Sequence, residues 1–432
     1  MKIVFLTAGA AGMFCGSCMH DNALARALND RGAECLLQPV YTPIRTDEID
    51  VSGQRVFLGG IHVYLLQQFP WLRHLPRAFR SVLDFPPLIR WATRNAGGTD
   101  AKTLGALSVS MLRGAQGNQA GEFEELNDWI CKAFQPDAVV FTNLLIGGGI
   151  PELKQQRPQT KVVVMLQGDD IFLDHLPEKH RAQAIELCQQ LVPLVDCFCS
   201  HSQFYADKMS RLLNIPADKL VITPLSVDHQ PFDPACLVEG AGLSQPSEFR
   251  LGYLARIAKE KGLQRLVDAF VLIAMEHPEV TLHAAGWLGP SGKPYLEAIE
   301  SQLQDAGLSE RFHYHGSPDL AGKAAFLRSL DVLSVPTEYE DPKGLFVLES
   351  LASGTPVVMP DHGAFGELIR STGGGVLVPP GDPRALAEAI IEIKNDELKR
   401  QQLAAQGLEG VKTKHTIDRA AEHVLEIIGE LS

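Results

Sequence analysis

Three shortages narrow the field before any motif is read. No apolar run reaches 18 residues, so a membrane-spanning helix is not expected. Positive charge is in deficit: 39 Lys and Arg stand against 52 Asp and Glu, a formal net charge of −13. General nucleic-acid binding needs clustered basic residues, so a nucleic-acid partner is not expected. Cysteine is sparse, with eight in 432 residues and no dense framework. That excludes a small disulfide-stapled scaffold and fits reduced thiols in a cytoplasm. The opening residues carry Lys2 but no basic cluster and no long Leu or Ala stretch, so they read as a buried strand rather than a signal peptide.

Apolar material is ample. Hydrophobic residues make up 45% and charged residues 21%, enough for packed cores. The length predicts two or three domains, two being the simplest count. Short apolar runs alternate with helical stretches, which predicts parallel sheets with helices on both faces. Strands are expected at Lys2–Thr7, Glu34–Tyr41, Ala138–Thr142, Val162–Leu166, Cys197–Ser200 and Leu220–Thr223. Helices are expected at Met19–Arg31, Glu122–Phe134 and Ala182–Val192. The pattern restarts after Phe249, with strands at Leu251–Leu254, Val280–Ala284, Phe312–His315, Val332–Val335, Pro356–Met359 and Val376–Val378. Residues 1–230 therefore read as one Rossmann-like domain, 231–248 as a Pro- and Gly-rich linker, 249–413 as a second Rossmann-like domain, and 414–432 as a helix packing back on the first. Residues 70–118 read as an insertion. Within it, Pro70–Arg94 carries five Arg against one Asp, with two Trp and two Phe. Packing on the N-terminal domain is the first expectation for this patch, and a peripheral membrane or acceptor surface the second.

The richest stretch is Asp331–Pro360. A strand, a polar loop and a helix starting near Gly344 place Asp341 and, eight positions on, Glu349 at the carboxyl edge of a sheet. Ionised carboxylates offer only acceptors and suit pairs of sugar hydroxyls, while the backbone N–H groups of Gly344 and Leu345 suit anions or hydroxyls. In Leu251–Gly262, Arg256 and Lys261 lie five apart after a strand. A guanidinium and an ammonium there suit the charge that develops on a departing diphosphate. Gly16 lies in a Gly-rich turn after the first strand, where a backbone can approach a phosphate or sugar closely.

Together these stretches resemble the retaining nucleotide-sugar glycosyltransferases of the GT-B fold, above all glycosyltransferase family 4. The match runs through Pro336-Thr337, Asp341, Gly344-Leu345 and Glu349-Ser350-Leu351-Ala352-Ser353-Gly354-Thr355-Pro356-Val357-Val358, through Arg256 and Lys261, and through Gly16. The resemblance implies an α/β fold of two doubly wound domains facing across a cleft. It implies Arg256, Lys261 and Asp341 as catalytic groups and Gly16, Gly316, Ser317, Gly344, Leu345 and Glu349 as donor contacts. Glu349 would take the ribose hydroxyls, Asp341 the sugar, and the Gly316–Ser317 loop the base. It implies a nucleotide-sugar donor, as substrate rather than cofactor, in a UDP, GDP or ADP form left open. The acceptor would be a small molecule, a glycan or a lipid-linked molecule. No metal is implied.

Departures from the family pattern are Asp341 for Glu, Cys15 for the first turn glycine, Gln167 for a His, and Leu225-Ser226 for Asn-Gly. His20, Asp21 and Asn22, at the start of the first helix, and Gln167 and Asp169, after the fourth strand, are candidate sugar or acceptor contacts. Three other readings share parts of this pattern: a sugar-nucleotide epimerase or hydrolase, a non-catalytic nucleotide-sugar binder, and a redox or metal protein. The last would use Cys15 and Cys18 with Cys197, Cys199 and His201.

Overall fold

Strand-forming runs such as Lys161–Leu166 (KVVVML) are apolar on both faces, which suits an interior parallel strand covered by helices on each side. The computed structural model describes residues 1–9, 16–44, 46, 48–53, 56–59, 66–67, 101–234 and 248–431. Cys15, the Arg-rich stretch Pro70–Arg94 and most of the expected linker lie outside the described residues. The chain divides into two compact units. The first comprises Met1–His201, Tyr205–Thr223 and Ala421–Ser432; the second comprises Ser202–Phe204 and Pro224–Ala420.

The first unit holds a six-stranded sheet, ordered β2-β1-β3-β4-β5-β6. Its strands are β1 Lys2–Thr7, β2 Glu34–Pro39, β3 Ala138–Phe141, β4 Lys161–Leu166, β5 Cys197–Ser200 and β6 Leu220–Ile222. Every pairing is parallel. Among the helices between them are α1 Gly16–Asp30, α2 Ala101–Leu112, α3 Ala120–Asp128, α4 Ile150–Gln156, α5 Asp169–Asp174, α6 Glu178–Leu191 and α7 Gln203–Leu213. The second unit repeats the plan, ordered β12-β11-β10-β7-β8-β9 and again parallel throughout. Its strands are β7 Phe249–Leu254, β8 Val280–Ala285, β9 Phe312–Tyr314, β10 Val332–Leu333, β11 Val357–Pro360 and β12 Gly375–Val378. They alternate with α8 Leu263–Ala274, α9 Lys293–Asp305, α10 Leu320–Arg328, α11 Leu345–Ala352, α12 Phe365–Thr372, α13 Pro383–Asn395 and α14 Glu397–Lys414. A last helix, α15, spans Ile417–Glu430. Leu251, Tyr253, Phe270, Leu282, Leu348 and Val358 are among the side chains sealed in the second core. Each contributes on the order of 1.5–3 kcal/mol of burial.

Strand order locates the binding edges. An open α/β sheet takes ligands at the carboxyl ends of its strands, where the winding reverses direction. In the first unit the reversal lies between β1 and β3, and in the second between β7 and β10.

Two elements differ from the sequence reading. Helix α1 begins at Gly16 rather than Met19, so His20, Asp21 and Asn22 lie inside it rather than opening it. The expected helix Glu122–Phe134 is α-helical only to Asp128 and then winds as a π-turn over Trp129–Phe134. The wider i to i+5 turn brings residues five apart together. Trp129 accordingly meets the Phe134 ring with centroids 5.8 Å apart.

Candidate functional site

In the second unit, β7 runs into Ala255 and Arg256, then a single 3-10 turn, Lys259–Lys261. Gly262 follows with φ +77 and caps α8. A side chain there would place its Cβ 1.8 Å from the Pro336 carbonyl oxygen. Only glycine lets the turn sit against the end of β10 at this distance. The Glu338 N–H also donates to the Glu260 carbonyl at 2.9 Å. These contacts bring Lys261 to the loop after β10, 80 residues on.

The Asp341 carboxylate is the hub of that loop. Its Oδ2 accepts from Lys261 Nζ at 2.8 Å and from the Tyr339 hydroxyl at 2.8 Å. Its Oδ1 accepts from the Lys343 N–H at 3.0 Å and the Gly344 N–H at 3.1 Å. The group is buried, 5% exposed. Burial by itself would raise its pKa. The Lys261 ammonium, aided by the hydrogen bonds from Lys261, Lys343 N–H and Tyr339, outweighs burial and holds the carboxyl below its ordinary value. Burial and the neighbouring Asp341 charge push the Tyr339 phenol up, so it stays a neutral donor. Lys261 Nζ also lies 4.9 Å from the Tyr339 ring centre and donates to the Tyr339 hydroxyl.

The expectation for Asp341 and Gly344 is therefore revised. Three donors from the loop and Lys261 from the turn after β7 fill four acceptor directions of the carboxylate, so in this structure Asp341 holds Lys261 and the turn. The Gly344 N–H, expected to meet a ligand, is spent on Asp341. Gly344 itself adopts φ +76 and caps α11, and Leu345 opens that helix.

Arg256 is held differently. Its guanidinium pairs with Glu260 one turn on, and both side chains are nearly half exposed. Glu349 sits in α11, buried, and accepts from Lys323 Nζ of α10 at 2.8 Å. Gly316 and Ser317 follow β9, where the Gly316 carbonyl accepts from the Gly286 N–H at 2.7 Å. Arg256, Lys261 and Asp341 thus gather at the β7/β10 reversal, with Glu349 in the helix that follows and the Gly316–Ser317 loop two strands along the same edge.

The first unit carries a second polar group at the β1/β3 reversal. Asp21 accepts from Thr7 Oγ1 at 3.2 Å and from Gln167 Nε2 at 3.0 Å. Asp169 accepts from the Leu144 N–H at 2.8 Å and the Gln167 N–H at 3.2 Å. Burial raises its pKa to about 6, against the two backbone hydrogen bonds. Gly16 is the first residue of α1. Asn22 bonds within the unit. Its amide donates to the Ile49 carbonyl at 2.8 Å and its carbonyl accepts from the Val51 N–H at 3.0 Å, tying that segment to α1. His20 packs edge-on against His201, ring centres 5.1 Å apart. Among the described residues no three of His, Cys, Asp and Glu are grouped to hold a metal ion.

Sequence reasoning missed Tyr339 and Lys323. A charged residue in the otherwise apolar start of LAGKAAFLR was the available signal for Lys323. For Tyr339 there was none beyond its place between two acids.

Residues 241–409 match the family model "Glycosyl transferases group 1". A phosphatidyl-myo-inositol mannosyltransferase of Mycobacterium leprae is 40% identical over 154 residues, 35% of this chain and 38% of that protein. A D-inositol 3-phosphate glycosyltransferase of Xylanimonas cellulosilytica is 29% identical over 254 residues, 56% of this chain and 58% of that protein. The chain thus spans only 38% and 58% of the length of these curated relatives. Among solved structures, sucrose-phosphate synthase from Thermosynechococcus elongatus superposes with a TM-score of 0.70 at 19% identity, covering 100% of this chain and 99% of that one. Anabaena HepE in complex with UDP superposes with a TM-score of 0.69 at 16% identity, covering both chains in full. At such identities the likeness speaks for the fold alone, and the two doubly wound units have the GT-B architecture.

Proposed function

We propose that the chain is a retaining glycosyltransferase that takes a sugar from a nucleotide-sugar donor without a metal ion. One observation carries the reading: Arg256 and Lys261 converge with Asp341 at the strand-order reversal of the unit that matches the group 1 model. Two cations at the carboxyl edge of a doubly wound sheet suit a diphosphate. The names of the relatives and the UDP complex of HepE agree with that chemistry.

In this reading the donor diphosphate lies against Arg256 and Lys261. An exposed Arg–Glu pair is worth only a few tenths of a kcal/mol, so phosphate displaces Glu260 from Arg256 at little cost. Lys261 has three donors, of which Asp341 and Tyr339 take two. The third would donate to phosphate, and the pair with Asp341 keeps the ammonium fixed. Glu349 accepts from the ribose hydroxyls. In the transfer, the bond from the anomeric carbon to the diphosphate oxygen breaks and a bond to an acceptor hydroxyl oxygen forms on the same face. The hydroxyl proton passes to the departing diphosphate. The two cations stabilise the charge on that leaving group. Each such donor is worth about 3–4 kcal/mol of barrier.

Calorimetric titration with UDP, GDP and ADP, then their sugar conjugates, tests this. One nucleotide binds in the micromolar range, with or without EDTA, and the Arg256→Ala variant loses the affinity. No binding by any of the three removes the reading.

A further inference from the structure

We infer that the first unit binds an uncharged, hydrocarbon-bearing alcohol at the β1/β3 reversal, and that this is the chemical class of the acceptor; the acceptor role rests on the transferase reading above. A cavity of about 440 Å³ opens there, within the range of small-molecule sites. Its two walls differ in chemistry. One is apolar: Leu104, Leu107 and Met111 from α2, with Leu145, Ile146 and Phe172. The other is polar and lies at the strand ends: Asp21, Asn143, Gln167 and Asp169. Hydrocarbon seated against the first wall leaves water at roughly 25 cal/mol per Å². A hydroxyl at the second wall meets acceptors and an amide fixed by the Gln167–Asp21 hydrogen bond and the backbone donors to Asp169.

The described lining offers an anionic ligand no counter-charge. No Lys, Arg or His lines the cavity among the described residues, and two carboxyl groups do. A phosphate would enter without a counter-charge and beside Asp21. The described lining therefore suits a neutral alcohol with an apolar body, in contrast to the inositol phosphate named for one relative.

Titration of the full chain with octyl β-D-glucoside below its micelle threshold is the test, with hexyl β-D-glucoside, glucose and glucose 6-phosphate as comparators. The octyl glucoside binds, the affinity rises roughly three- to fourfold per methylene over the hexyl form, and glucose 6-phosphate does not compete. Leu107→Trp and Leu145→Trp, which fill the cavity from two different segments of its apolar lining, each weaken octyl glucoside at least tenfold while the circular dichroism spectrum stays native. Vesicles of dioleoylglycerol in phosphatidylcholine offer the same chemistry from a membrane. Binding to them, lost in the same variants, supports the inference and identifies a membrane source; binding to octyl glucoside alone supports it with a dissolved source. Failure of both, insensitivity to both Trp variants, or preference for glucose 6-phosphate overturns it. UDP, GDP and ADP are titrated into the same samples. Nucleotide binding without alkyl binding sinks this inference and leaves the transferase reading standing. Alkyl binding without any nucleotide binding sinks the transferase reading and the acceptor role with it.

Discussion

Replacing Asp341 by Asn keeps the shape of the side chain and removes its charge. Four donors point at the carboxylate: Lys261 Nζ, the Tyr339 hydroxyl and the N–H groups of Lys343 and Gly344. An amide offers one acceptor oxygen, so its NH₂ must face two of those donors whichever way it is turned. Lys261 is also left without its counter-charge in a site where its side chain is 18% exposed. Breaking a buried pair costs 3–5 kcal/mol, and the partial exposure of Lys261 puts this case near about 3 kcal/mol. For a unit of this size that is a fall in Tm of about 6–12 °C. The pH dependence has a fixed sign. The folded carboxyl is held below its ordinary value. Its contribution is complete above the unfolded pKa, about 4, and is lost as pH falls through the lower folded value. The variant has no such contribution to lose. Thermal unfolding at pH 7 and pH 3 checks both points. The gap between wild type and Asp341→Asn is wide at pH 7 and narrows at pH 3. A gap under 2 °C at pH 7, or one that does not change with pH, refutes the argument.

The other pairs give sharper contrasts in binding than in stability. Arg256→Ala leaves Tm within about 1 °C, because its partner Glu260 is half exposed, yet nucleotide titration loses at least tenfold. Glu260→Gln frees the guanidinium and tightens the same nucleotide about twofold, the factor equivalent to an exposed i,i+4 pair. Glu349→Gln weakens the ribose form of the nucleotide about tenfold and leaves its 2′,3′-dideoxy form unaffected in the same titration. Lys323→Met and Glu349→Leu each destabilise by about 3–5 kcal/mol in denaturant melts, and the double variant recovers much of the loss, because a buried pair is worth little over apolar residues of like volume. In carbon-13 carboxyl spectra Asp169 titrates with a midpoint near 6, protonated below and charged above; a midpoint under 4.5 contradicts the burial argument.

The alternation of apolar runs with helical stretches carried the doubly wound plan, because strands such as VVVML have no polar face to leave in water. The residues gathered at the β7/β10 reversal were legible for a similar reason: cations after a strand and acids at the head of a helix are fixed in place by the elements beside them. Pairing was not legible. Asp341 saturates with Tyr339, Lys343 and Gly344 only once the loop folds back on itself, and Lys323 meets Glu349 from another helix, 26 residues away. Likewise α2, which follows a long undescribed stretch, brings Leu107 and Met111 over the ends of β1 and β3 by tertiary packing that no local pattern records. The π-turn over Trp129–Phe134 was likewise missed, because the apolar spacing of Glu122–Phe134 reads as one continuous helix.

The two cations at the reversal are unequal for a reason the motif does not contain. Both have a carboxylate partner in the same unit. Arg256 and Glu260 are both nearly half in water, so their attraction is weak, and in the proposed reading a diphosphate would outcompete it. Asp341 is buried and Lys261 only partly exposed, and the carboxylate there is bound four times over, so that pair is the harder of the two to break. In the proposed reading Lys261 is the fixed charge against which a phosphate would be placed, and Arg256 is the adaptable one that would follow it. The Asp at position 341, one methylene shorter than Glu, belongs to this division of labour. The short side chain keeps both oxygens within reach of the Lys343 and Gly344 N–H groups while still meeting Lys261, a geometry in which holding the cation takes precedence over reaching the sugar.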